Sequence, residues 1–226
     1  DEKSRMIPKL IVANWKMAID LDAVRVFERE WNGGPAVTTA DVVVAPPAVF
    51  LHHAAVLGGV SLCGQDVSIH SMGAHTGEVS AAMLKALGCR YGIVGHSERR
   101  SGHSETNALI AEKASRLETE GLRPIICVGE SLLERQSGGA ESLIATQVTE
   151  SCSGLSTVPI IAYEPVWAIG SGESASPDDV VVMHRHIKRT LDRAFAADVP
   201  VLYGGSVNPE NCTQFTAHPE VNGLLV

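Results

Sequence analysis

Short apolar runs rich in β-branched residues punctuate the chain: LIVA from Leu10, VVVA from Val42, a run from Val60, YGIV from Tyr91, PIICV from Pro124, IIAY from Ile160, VLY from Val201 and GLLV from Gly223. Each but the last leads into a glycine, proline or small polar cluster and then a longer stretch with helical spacing. The starts recur about every thirty residues, the size of a strand–helix unit. The runs are nearly continuous in apolar character, as expected of strands covered by helices. The spacing predicts helices over residues 21–31, 78–87, 105–120, 141–152 and 177 to about 196, with a short one opening at Pro209. Gly121 reads as a C-terminal cap, and Ser176 before Pro177 as an N-cap.

Alternating units of this kind build either an open doubly wound sheet or a closed barrel. The open sheet calls for a G-x-G-x-x-G turn after the first strand, whereas this chain has Asn14-Trp15-Lys16 there. Eight strands with polar residues beyond several of their C-terminal ends favour an α/β fold of the (β/α)8 barrel type. No linker or compositional break divides residues 1–226, so one domain is expected.

Composition narrows the function classes. With 45% hydrophobic and 19% charged residues over 226 positions, the chain is a globular protein able to bury a full core. The excess of 26 acidic over 18 basic residues excludes a general nucleic-acid binder but not a local anion site. No apolar run approaches the roughly eighteen residues of a membrane span. Residues 1–6 have no apolar run behind them, so they do not read as a signal peptide. Five scattered cysteines without a CxxC pair read as free thiols in a reducing cytoplasm.

A barrel of this type gathers its chemistry at the C-terminal strand ends. There lie Asn14 and Lys16, the segment Gly95-His96-Ser97-Glu98-Arg99-Arg100, the segment Cys127-Val128-Gly129-Glu130, the segment Tyr163-Glu164-Pro165, and Tyr203-Gly204-Gly205-Ser206. A carboxylate directly after IIAY, Glu164, reads equally as a desolvated base or a salt-bridged surface group. Lys16 reads as a charge for an anionic substrate or as a plain surface lysine. His96, before a helix start, reads as a neutral hydrogen-bond donor or a loop tie. Pro165, Val166, Trp167, Ala168, Ile169, Gly170, Ser171 and Gly172 have the composition of a lid with a rigid and a glycine-rich end. The two glycine clusters, Gly170-Ser171-Gly172 and Gly204-Gly205-Ser206, allow backbone N–H groups to approach an anion. Histidine spacing offers no metal site: His52 and His53 are adjacent, and His70 and His75 have no ligand cluster around them.

Five segments, in this order, resemble the triosephosphate isomerase family: Ala13-Asn14-Trp15-Lys16-Met17, Cys63-Gly64-Gln65-Asp66-Val67, Gly95 to Arg100, Ala162 to Gly170, and Tyr203-Gly204-Gly205-Ser206. The resemblance runs from Leu10 to Val226. It implies a TIM barrel that interconverts dihydroxyacetone phosphate and D-glyceraldehyde 3-phosphate without cofactor or metal, a step of glycolysis and gluconeogenesis. It makes Glu164 the base and His96 the neutral electrophile, a pairing for which this family is the standard illustration. Lys16 then neutralises substrate charge, Asn14 holds oxygens, and Glu98 and Cys127 support them. Gly170, Ser171, Gly205 and Ser206 become phosphate contacts, and Tyr203 the lid latch. It also implies a homodimer in which the segment holding His75 and Thr76 enters a second subunit near the partner's Asn14 and the partner's Lys16.

Departures from the family pattern carry expectations of their own. Ala18-Ile19 stand where the family has Asn and often Gly, which is expected to loosen Lys16 and leaves room for a sugar-phosphate isomerase of altered specificity. His75 replaces an aromatic residue at the dimer-loop tip, and Ser171 a threonine in the lid. The family continues past its eighth strand with a Gly-Gly phosphate loop and a final helix, so a longer native chain is expected. Without that segment, a catalytically impaired barrel serving a binding role is the alternative.

Overall fold

The computed structural model describes residues 9–37, 39–168, 175–195 and 197–226. Its strands are β1 (Lys9–Asn14), β2 (Ala40–Ala45), β3 (Val60–Gly64), β4 (Cys89–Val94), β5 (Arg123–Val128), β6 (Ile160–Tyr163), β7 (Val201–Tyr203) and β8 (Gly223–Leu225). They pair in parallel and in sequence order, and close as β1 meets β8. The expected (β/α)8 barrel is the fold found.

Closure depends on a close approach. Gly223 lies against Leu10, where a Cβ would sit 1.9 Å from the Leu10 carbonyl oxygen, so the seam admits no side chain there. Beyond the β8 residues, the Val226 N–H donates to Val12 (2.9 Å) and the Val226 carbonyl accepts from Asn14 (2.7 Å).

The sheet separates two apolar layers. Val12, Val43, Cys63, Ile125, Ile160 and Leu202 are among the residues that fill the barrel interior. The outward residues, among them Val44, Ile126, Ile161 and Tyr203, pack with the surrounding helices. Most strands are therefore covered on both faces, which accounts for the unbroken apolar runs.

The helices are α1 (Leu21–Gly33), α2 (Leu51–Ala54), α3 (Ala81–Ala86), α4 (Ser97–Gly102), α5 (Asn107–Thr119), α6 (Leu132–Gln136), α7 (Ala140–Ser151), α8 (Pro177–Leu191) and α9 (Cys212–Thr216). Several differ from expectation. The helix expected from residue 78 begins later, because Ser80 is its N-cap and accepts from the Met83 N–H. The one expected from residue 105 begins after Thr106, which caps Leu109 in the same way. Ser176 does cap α8, but that helix stops at Leu191. The pattern ran on because Phe195, beyond the helix, is also buried. No helix of the described residues is long and apolar enough to cross a membrane.

Candidate active site

At the C-terminal end of the barrel, a cavity of about 180 Å3 is lined by Asn14, Lys16, His96, Glu164, Gly204, Gly205 and Ser206, together with Val207, Leu225 and Val226. Residues from five strand ends thus converge on one space. A larger groove of about 770 Å3 runs outside the barrel between α5 and α7, where small side chains such as Ala108, Ala111 and Ser153 form a shallow wall.

Glu164 follows β6 and is 2% exposed. Its Oε1 lies 3.0 Å from His96 Nε2, and its Oε2 accepts the Ser97 N–H at 3.0 Å. Its backbone N–H bonds to the Val128 carbonyl (2.7 Å), and Gly129 makes room beside it. A Cβ on Gly129 would fall 1.8 Å from the Glu164 carbonyl oxygen. The ends of β5 and β6 are therefore pinned together directly beneath the carboxylate.

His96 is the N-cap of α4, and its Nδ1 accepts the Glu98 N–H at 3.2 Å. That bond occupies Nδ1 as an acceptor and leaves Nε2 as the N–H that donates to Glu164. Burial works to lower the His96 pKa, but the hydrogen bond and charge of Glu164, with a further push from Glu98, raise it overall. The helix-based expectation of a neutral ring did not reckon with a carboxylate resting on it.

Lys16 has a left-handed backbone, φ 49°, unusual for a residue with a side chain. Two contacts hold it: its N–H donates to Asn14 Oδ1 (3.1 Å), and Gln65 Nε2 donates to its carbonyl and to that of Ala45 (2.9 Å each). The adjacent turn closes with the Ala18 N–H on the Trp15 carbonyl (3.1 Å), so Ala18 and Ile19 follow a formed turn and Lys16 is held. Its Nζ pairs with Glu98 Oε1 at 2.7 Å. Glu98 thus reaches the site through Lys16, its own side chain lying outside the cavity wall.

Cys127 is fully buried in the interior layer, where desolvation and then the Glu164 charge push its thiol pKa well up. It is not a nucleophile in this setting. Tyr203 is buried beneath Gly205, whose missing side chain makes space for the phenol. Burial pushes the Tyr203 phenol pKa up, while the Ala175 backbone acts the other way.

In the lid sequence, Val166–Ala168 form a single 3-10 turn after Pro165. Ser206 Oγ donates to the Ala168 carbonyl at 2.5 Å. Ile169, Gly170, Ser171 and Gly172 lie outside the described residues, as do the phosphate contacts expected of Gly170 and Ser171.

One anchor was given no role from sequence. Glu130, fully buried, accepts from Tyr163 OH (3.0 Å) and Trp167 Nε1 (3.1 Å), while Arg135 stacks over the Trp167 ring. A glutamate after an apolar strand was its signal, the same one that marked Glu164.

His75 and Thr76 sit on an exposed segment between β3 and α3, where His75 stacks on His70 at 3.6 Å. Among the described residues, no three His, Cys, Asp or Glu side chains gather as a metal-ligand group.

A family model described as triosephosphate isomerase matches residues 9–226. The triosephosphate isomerase of Thermus thermophilus is 45% identical over 228 residues, covering 96% of this chain and 91% of that protein. That of Acidiphilium cryptum is 44% identical over 236 residues, covering 97% and 92%. That of Herpetosiphon aurantiacus is 43% identical over 229 residues, covering 96% and 92%. With the model matched from the first strand to the last and relatives this similar along nearly the whole chain, the protein is an isomerase and belongs to the triosephosphate isomerase family.

Proposed function

We propose that the chain interconverts dihydroxyacetone phosphate and D-glyceraldehyde 3-phosphate by proton transfer through an enediolate, with Glu164 as the base. The observation that carries this reading is the pairing of a buried carboxylate with an imidazole N–H across 3.0 Å in a cavity that also holds a lysine.

Glu164 removes a proton from the carbon beside the substrate carbonyl, and the electron pair moves onto the carbonyl oxygen. His96 Nε2–H and Lys16 face that oxygen as negative charge develops. Glu164 then returns the proton to the neighbouring carbon. A substrate oxygen between His96 and Glu164 removes the contact that raises the histidine pKa. Burial and Lys16 then favour the neutral ring, and Glu98 is already engaged with Lys16. Asn14 holds Lys16 through its backbone, and Gly205 and Ser206 offer donors to the phosphate. The Pro165-to-Gly172 segment closes as a lid latched by Tyr203, keeping water from the enediolate. No cofactor enters this chemistry.

The assay is kcat/KM for D-glyceraldehyde 3-phosphate. Turnover far above the uncatalysed rate is expected, and turnover at that rate overturns the reading.

The functional unit is proposed to be a homodimer. Met72, on the segment with His75 and Thr76, is 86% exposed. An apolar groove of about 370 Å3 beside Lys16, lined by Met17, Pro47, Ala48, Leu51, Val67 and Val79 with polar neighbours, suits such a segment from a second copy. Sedimentation over a concentration range is expected to show a dimer, and a persistent monomer contradicts it.

A further inference from the structure

Arg100 lies on α4, but its side chain folds back beneath the site. Its Nε donates to the Gly95 carbonyl at 2.9 Å and its Nη2 to the Cys127 carbonyl at 3.0 Å. The last β4–β5 register pair is Val94 with Ile126, so both carbonyls lie one residue beyond it. The guanidinium therefore ties the two strands where their ladder ends, and Gly95 is the residue that leads into His96. Two helices hold the guanidinium from behind: Nη1 donates to Asn107 Oδ1 of α5 at 2.6 Å, and Nη2 reaches the buried Ser151 Oγ of α7 at 3.4 Å.

All of these acceptors are uncharged oxygens. A largely buried guanidinium without a bonded carboxylate is a costly arrangement, and an apolar side chain of similar size would serve stability as well or better. Burial bears most heavily against its charge, while Cys127, Glu164 and Glu105 act the other way.

We propose that Arg100 is a positioning residue for the isomerisation: its guanidinium fork fixes the strand end that presents His96. This rests on the roles assigned above to His96 and Glu164. A lysine retains the charge but lacks the planar fork that spans two carbonyls and an amide. Glutamine loses both.

The test compares Arg100→Lys and Arg100→Gln with the unaltered enzyme and Glu164→Asp, each by kcat and KM. Both Arg100 variants are expected to lose about tenfold or more in kcat, as misplacement of a reacting group does, with KM within about twofold. Arg100→Lys keeps the charge and the stem, so it reads the loss of the fork even if Arg100→Gln fails to fold. Unaltered kcat in Arg100→Lys, or a loss confined to KM, overturns the proposal. Should those variants behave ordinarily while Glu164→Asp is crippled, only the Arg100 proposal falls. Indifference to Glu164→Asp would instead remove the reading beneath it.

Discussion

Glu164→Asp lowers kcat by about 10²-fold or more, because roughly 1 Å of misplacement costs that much where a base must meet a particular proton. The shorter side chain withdraws the carboxylate from a position fixed on both oxygens, His96 Nε2 on one and the Ser97 N–H on the other, each at 3.0 Å. Backbone adjustment cannot restore the reach, since the Glu164 main chain is bound to Val128 and pressed against Gly129. KM should change far less, because in the proposed mechanism the phosphate is held by Gly205 and Ser206 and not by the base. Steady-state kinetics with D-glyceraldehyde 3-phosphate separate the two parameters, and an unchanged kcat would take the base role from Glu164.

Much of this site was legible in the sequence because a barrel turns a one-dimensional rule into a three-dimensional one. Residues just past a strand's apolar run all reach the same end, so Asn14, Lys16, His96, Glu164 and Ser206 could be grouped without knowledge of their contacts. What escaped was the layer that holds them. Gln65 reaches Lys16 from 49 residues away in sequence, and Arg100 reaches Cys127 across 27. No local periodicity records such pairs. Among helices the omissions have a different cause: α2, with 4 residues, and α6, with 5, are too short for an apolar stripe to repeat. The capping box of Ser131 and Glu134 was a readable signal for α6. The overrun of α8 through Phe195 shows the opposite fault, since burial continues a pattern after the hydrogen-bond ladder has stopped.

Stability falls as pH drops from about 6.5 towards 3 on account of His184, which has no part in the proposed chemistry. This α8 side chain is 0% exposed, its Nδ1 lies 3.3 Å from the Glu220 carbonyl, and its ring meets Tyr163 edge-on. Nδ1 can donate to that carbonyl, but Nε2 has no partner among the described residues. A second proton would therefore create a buried charge with an unmet N–H. Burial is the largest influence and brings the pKa down to about 3; Lys188 adds to the fall, while the Glu220 carbonyl and charge oppose it. In the unfolded chain the ring protonates near 6.5, so below that pH the unfolded state binds the proton that the folded state refuses. The loss amounts to about 2 kcal/mol at pH 5 and about 4 kcal/mol near pH 3, against a typical domain stability of about 5–15 kcal/mol. His96 has the opposite sign: its raised pKa gives stability that is complete below about 6.5 and is lost as pH rises above it, so it opposes His184 at the neutral end of the range. Glu98, Glu105, Glu118 and Glu220, whose pKa values are lowered, lose their contributions at more acid pH. Urea unfolding of the unaltered protein and His184→Leu at pH 7 and pH 5 isolates His184, because the other groups act equally in both. The unaltered protein should lose about 2 kcal/mol more between them than His184→Leu, since leucine carries no proton to refuse. Equal losses in the two proteins would assign the acid sensitivity to another group.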